Sequence, residues 1–248
     1  YLPAKARAGS RPVPVLVQIH GGPEQQARVD FDPFVQFLAG RMGIAVVLPN
    51  ARGSSGYGKN YLKADDRRLR VGAIQDIGAL LDWVATRPEL DPERVAVAGR
   101  SYGGFMALSA IIRYGDRLKG GISTVGITHF PSFLKETSGY RRDLRRAEYG
   151  DERDPAIAAF LDSLSPASHL DQLRLPLLLA HGRNDPRVPY AESVRLFESL
   201  KTRKVPVWLL TFPHEGHAFR AEESRRIHWQ VMADFLTLIF GINSISGG

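Results

Sequence analysis

Cysteine is absent from the 248-residue chain, which excludes a disulfide framework, a cysteine nucleophile and a thiolate metal site. No apolar run approaches the length of a membrane span and no signal peptide opens the chain, so a cytoplasmic protein is the expectation. The chain starts on Tyr1 rather than methionine, and something upstream is expected to have been removed. Internal repeats and low-complexity linkers are missing too, so nothing calls for a second complete domain. Acidic residues are fewer than basic ones, 26 against 33, for a net charge of +7. The densest basic cluster, Arg141, Arg142, Arg145 and Arg146, lies near Glu136, Asp143 and Glu148. At helical spacing these arginines spread around a helix and read as a solvated face. No nucleic-acid motif accompanies them, so the charge does not support a nucleic-acid partner.

Short apolar runs alternate with amphipathic stretches, the pattern of a parallel sheet with helices on both faces. The runs predict strands over Val13–His20, Ile44–Pro49, Arg94–Ala98, Lys119–Val125, Leu175–His181 and Val205–Phe212. Helices fit Asp32–Arg41, Ile74–Thr86, Tyr102–Tyr114, Ala191–Leu200 and Glu222–Phe240. Between Gly126 and Leu173 the rhythm breaks, with Phe130, Phe133, Tyr140 and Tyr149 set among charges. So long an excursion reads as the wall of a substrate pocket over the sheet end where open α/β sheets bind ligands.

At that sheet end stands Gly99-Arg100-Ser101-Tyr102-Gly103, between the apolar runs Val95–Ala98 and Phe105–Leu108. This is G-x-S-x-G in a strand-turn-helix setting, a nucleophile elbow that exposes the serine hydroxyl, and it predicts an α/β-hydrolase fold. A serine hydroxyl attacks only when a histidine takes its proton. In this fold the chain order is serine, acid, histidine. Asp185 follows the strand ending at His181, in a loop stiffened by Pro186 and Pro189. Position leaves His214 and His217 as candidate bases; Gly216 gives His217 the freer turn, but spacing alone does not separate them. The oxyanion of acyl transfer needs donors, which the elbow N–H of Tyr102 and the loop His20-Gly21-Gly22-Pro23 are placed to supply. No metal or cofactor is required, and His214, Glu215 and His217 in one short loop are too few to hold zinc.

These motifs resemble the catalytic domain of the prolyl oligopeptidase family of serine peptidases, nearest its acylaminoacyl-peptidase and bacterial dipeptidyl-peptidase branch. The resemblance is carried by His20–Pro23, Pro49–Gly58, Gly99–Gly104, Ser165-Pro166, His181–Pro189 and Glu215–His217. It implies Ser101, Asp185 and His217 as the catalytic triad, with Gly22 and Tyr102 as oxyanion donors and Gly21 beside them. It also implies short, often N-blocked peptides as substrates, simple esters as further ones, and an apolar pocket for which Phe133, Tyr140 and Tyr149 are candidates. Arg52 lies in a loop that is near the site in the family. The family's β-propeller has no counterpart here, and the strands that usually precede Val13–His20 are missing or curtailed. An edge left exposed in this way would invite pairing with a missing segment or with another subunit in a homo-oligomer.

A carboxylesterase using the same residues and a catalytically silent interaction domain are the alternatives. The first differs only in substrate; the second is opposed by the complete set of Ser101, Asp185 and His217.

Overall fold

Strands covered on both faces are apolar at successive positions, as residues 15–17, 95–98 and 177–180 are, all of them buried. The computed structural model describes residues 1–6 and 11–242. Its strands are β1 (Val13–Ile19), β2 (Ala45–Val47), β3 (Leu90–Arg100), β4 (Gly121–Thr124), β5 (Leu177–Gly182) and β6 (Val207–Phe212). They form one six-stranded sheet in the order β2-β1-β3-β4-β5-β6, parallel throughout. This is the α/β-hydrolase arrangement expected from the elbow.

The helices are α1 (Pro33–Phe37), α2 (Lys59–Leu62), α3 (Arg70–Ala85), α4 (Tyr102–Tyr114), α5 (Phe130–Glu136), α6 (Gly139–Tyr149), α7 (Pro155–Leu164), α8 (Ala191–Thr202) and α9 (Glu222–Phe240). Alternating strand residues feed two cores. Val15, Val17, Val95, Val97, Leu177 and Leu179 pack with α3, α4 and α8. Leu16, Ala96, Ala98, Ile122 and Leu178 pack with α1 and α9 through Phe34, Val35, Met232, Phe235 and Leu236.

Several boundaries differ from the sequence pattern for identifiable reasons. β3 begins at Leu90 rather than Arg94, because a pairing irregularity between Val13 and Val15 absorbs Pro92 as a bulge. α3 begins at Arg70, ahead of its first apolar residue, because that arginine is itself buried. The helix expected over Asp32–Arg41 starts as α1, capped by Asp32 Oδ1 on the N–H groups of Phe34 and Val35. It then widens into a π-helical turn over Leu38–Met42 that ends at Gly43.

The excursion between β4 and β5 folds as α5, α6 and α7. Its root is fixed by the fully buried Glu192 of α8, whose carboxylate accepts from the N–H groups of Thr128 (2.9 Å) and His129 (2.8 Å) and from the hydroxyl of Ser132 (2.6 Å). Among the described residues, no helix is long and apolar enough to cross a membrane.

Candidate active site

Because the sheet is parallel, the segments after β1, β3, β5 and β6 all leave at one end. They carry Gly21 and Gly22, Ser101, Asp185 and His217 respectively. Ser101 joins β3 to α4 with φ 58° and ψ −119°, a conformation that costs a non-glycine residue about 1–3 kcal/mol. Its N–H donates to Thr124 O at 2.9 Å, tying the turn to β4. The turn closes only without side chains on either flank. A Cβ on Gly99 would lie 1.9 Å from Gly103 O, and one on Gly103 would lie 2.2 Å from Ile19 O.

His217 and Asp185 are joined at 2.7 Å between Nδ1 and Oδ2. The Asp185 side chain is fully buried. Its Oδ1 accepts from the N–H groups of Arg187 (2.8 Å) and Val188 (3.1 Å), which fixes the carboxylate plane. Burial would raise the Asp185 pKa, but the bonds from His181, His217 and the Arg187 backbone outweigh it and hold the carboxyl well below the usual range. Burial lowers the His217 pKa, against the pull of Asp185. His181 is structural: its Nδ1 meets Ser193 Oγ at 2.7 Å and its Nε2 meets Val188 O at 3.0 Å. His214 also lines the cavity, but Asp185 is bonded to His217.

A cavity of about 940 Å³ opens over this end of the sheet, and Gly21, Gly22, Ser101 and His217 all line it. No hydrogen bond links Ser101 to His217 among the described residues; such contacts often tighten only when substrate binds. Phe133, Tyr140 and Tyr149 line the same cavity, with Ile127 and Val188 adding apolar surface. The Tyr102 ring is buried beneath, while its N–H opens α4. Among the described residues, neither the Tyr102 N–H nor the Gly22 N–H is taken by a protein acceptor.

Residues 29–243 match the profile of the prolyl oligopeptidase family. The chain belongs to this family. It is 31% identical over 233 residues to dipeptidyl aminopeptidase BIII of Pseudoxanthomonas mexicana, covering 93% of this chain and 34% of that protein. With the acylamino-acid-releasing enzyme of Homo sapiens it shares 30% over 215 residues, covering 85% of this chain and 29% of the relative. Among solved structures, a puromycin-hydrolysing peptidase of Mycobacterium tuberculosis superposes with a TM-score of 0.90 at 29% identity, over 98% of this chain and 37% of that one. The chain thus spans about a third of the length of the curated relatives it matches.

In this member of the prolyl oligopeptidase family, two readings of the arginines are corrected by the structure. Arg52 is not on the cavity wall. Its guanidinium clasps Asp76 of α3 at 2.9 and 2.6 Å, and its N–H donates to the same carboxylate. The loop holding it is braced instead by His20, whose Nε2 meets Ser54 Oγ at 2.8 Å. The cluster on α6 is not simply a solvated face. Arg142 donates to Thr137 O, Arg146 binds Glu152 and Asp143, and Arg145 bridges Glu148 and Glu24. Arg141 and Arg145 line the cavity, together with Arg187 from the loop after β5.

Beneath the wall lies a feature that the apolar pattern hides. Arg70 is fully buried, 4.9 Å from the centre of the Tyr102 ring and 4.5 Å from that of Tyr149. It pairs with Asp65 at 2.8 Å and reaches Glu148 at 3.5 Å. Burial pushes the Glu148 pKa up to about 9, against the pull of Arg70. Asp65 accepts the Tyr102 hydroxyl at 3.1 Å, and Tyr149 donates to Gly22 O at 3.3 Å. Through these contacts, the elbow residue, the glycine loop and the pocket wall share one rigid support.

Proposed function

We propose that this chain carries the catalytic site of a serine peptidase that cleaves short peptides, N-blocked ones among them. The observation that carries the reading is Ser101 at an elbow on the same cavity as His217, with His217 already bonded to Asp185. Ser101 Oγ attacks the scissile carbonyl carbon as His217 Nε2 takes the hydroxyl proton. Asp185 holds Nδ1–H and steadies the imidazolium. The carbonyl oxygen becomes an oxyanion that the N–H groups of Tyr102 and Gly22 receive, each donor contributing about 3–4 kcal/mol. The tetrahedral intermediate collapses, the C–N bond breaks, and His217 returns the proton to the leaving amine. Water then repeats the sequence on the acyl-enzyme and restores Ser101. Phe133 and Tyr149, both buried at the cavity wall, offer an apolar surface to the residue before the cleaved bond.

Turnover of an N-acetyl-aminoacyl p-nitroanilide, set beside p-nitrophenyl butyrate, tests the reading. Release of p-nitroaniline is the expected result. Cleavage of the ester alone would overturn the peptidase reading in favour of an esterase acting through the same residues.

The pH profile follows from the base. Only the neutral ring can accept the serine proton, and burial favours the neutral ring. A lowered pKa keeps His217 neutral to lower pH, so kcat/KM should rise along one limb centred below about pH 6.5 and level off by about pH 7. A titration of kcat/KM between about pH 4 and 8 reads this limb. A midpoint above neutrality would contradict the assignment of His217.

A further inference from the structure

The cavity is charged unevenly. Its acids, Glu215 and Glu223, both lie in the segment around and after His217, which also contributes Arg220, while Arg100 beside Ser101 is engaged by His217 O. The Glu215 carboxylate is already occupied by the N–H groups of Arg220 (2.8 Å) and Ala221 (2.9 Å). The part of the lining made by residues 127–149 and 186–188 contributes Arg141, Arg145 and Arg187 and no acid. Arg145 is engaged with Glu148 at 2.5 Å and Glu24 at 3.2 Å. Arg141 and Arg187 have no carboxylate partner among the described residues. Arg141 is nevertheless only partly exposed.

The backbone brings these two arginines to one place. Thr137 Oγ1 donates to Arg187 O at 2.7 Å, and Ser138 Oγ donates to Pro186 O at 2.6 Å. These bonds stitch the residues leading into α6 onto the loop that carries Asp185. Arg141 N–H donates to Ser138 O at 2.9 Å, so its position is set by the same seam. Arg187 is held from the other side, its N–H on Asp185 Oδ1 at 2.8 Å. Both arginines line the one cavity, so an anion entering it meets two guanidinium groups that have no carboxylate of their own. Guanidinium groups suit a carboxylate in particular, because their forked donors match its two oxygens.

We propose that Arg141 and Arg187 form a carboxylate-binding wall, and that the site selects peptides with an acidic residue next to the cleaved bond. The proposal rests on the peptidase reading of Ser101 and adds a substrate class to it.

Internally quenched peptides in matched pairs test it, the members differing only in Glu against Gln at one position on either side of the cleaved bond. The Glu member should show about tenfold higher kcat/KM at one or more positions at low ionic strength. That preference should shrink as salt rises from about 0.05 to 0.5 M. Arg141→Gln and Arg187→Gln should each move the Glu-to-Gln ratio toward one. A ratio of one at every position in the unaltered protein overturns the proposal, as does a ratio that neither variant moves. Equilibrium binding of the same pairs to the Ser101→Ala protein separates the two readings. Preferential binding of Glu peptides without turnover in the unaltered protein would sustain the wall and sink the peptidase reading; turnover with no preference would do the reverse.

Discussion

Ser101→Ala is expected to reduce kcat on any cleaved substrate by roughly 10⁶-fold, the scale seen when a serine hydrolase loses its nucleophile. The loss should come without unfolding. The residue sits at φ 58°, and its anchoring bond to Thr124 O uses the backbone N–H, so alanine inherits the same strain and the same hydrogen bond. A urea melt should therefore superimpose on that of the parent to within about 1 kcal/mol. Fluorophosphonate labelling should disappear with turnover. A variant that keeps more than a tenth of the parental kcat would remove Ser101 from the chemistry, and the elbow would be left as a turn.

Asp185→Asn should cost about 10⁴-fold in kcat while leaving the loop in place. The two oxygens of Asp185 do different things. Oδ1 accepts the N–H groups of Arg187 and Val188, a task an amide oxygen can keep. Oδ2 accepts from His217 Nδ1 at 2.7 Å. An amide NH₂ facing that nitrogen donates instead of accepting, so the ring is held in the tautomer with its proton on Nε2, where it cannot take one from serine. Steady-state kinetics beside the thermal melt distinguishes this from damage to the loop. A small loss of kcat would mean that His217 is oriented by something other than Asp185. His181, bonded to Ser193 Oγ and Val188 O, also has its Nε2 3.3 Å from Oδ2 and so meets the same amide.

Much of this site was legible because its residues are ones the backbone cannot replace. Gly99 and Gly103 stand where a Cβ would strike backbone, and the strand-turn-helix context made the turn readable around them. Asp185 was findable because a parallel sheet places its functional loops after successive strands, and the family resemblance decided between His214 and His217. What stayed hidden depends on partners distant in the chain. Arg70 carries a charge into what reads as an apolar stripe, and Tyr102, Tyr149, Asp65 and Glu148 make its burial tolerable. Arg52 looked like a site residue because its motif lies near the active site in the family, and Asp76 of α3 claims it. The helix at Arg141–Arg146 was correctly spaced, yet its face was misjudged, since spacing cannot say that Glu24 and Glu152 lie within reach.

β4 and β5 are direct neighbours, paired from Gly121 with Leu177 to Thr124 with Ala180. A parallel pair needs a crossover, and a dozen or so residues suffice for one. The stretch over residues 126–173 is far longer, and its surplus forms the arginine-bearing wall of the cavity. The sheet requires a connection here, but not this one. It is moored along its whole length: Glu192 under its root, Thr137 and Ser138 on the Asp185 loop, Arg145 on Glu24, Glu148 on Arg70 and Tyr149 on Gly22, with Phe130, Phe133 and Leu161 in the core. The connection is therefore no detachable insert: the wall it supplies and the loops that carry Gly22, Ser101 and Asp185 are built into one another. Shortening it would disturb the glycine loop, the Asp185 loop and the partners of buried Arg70 together.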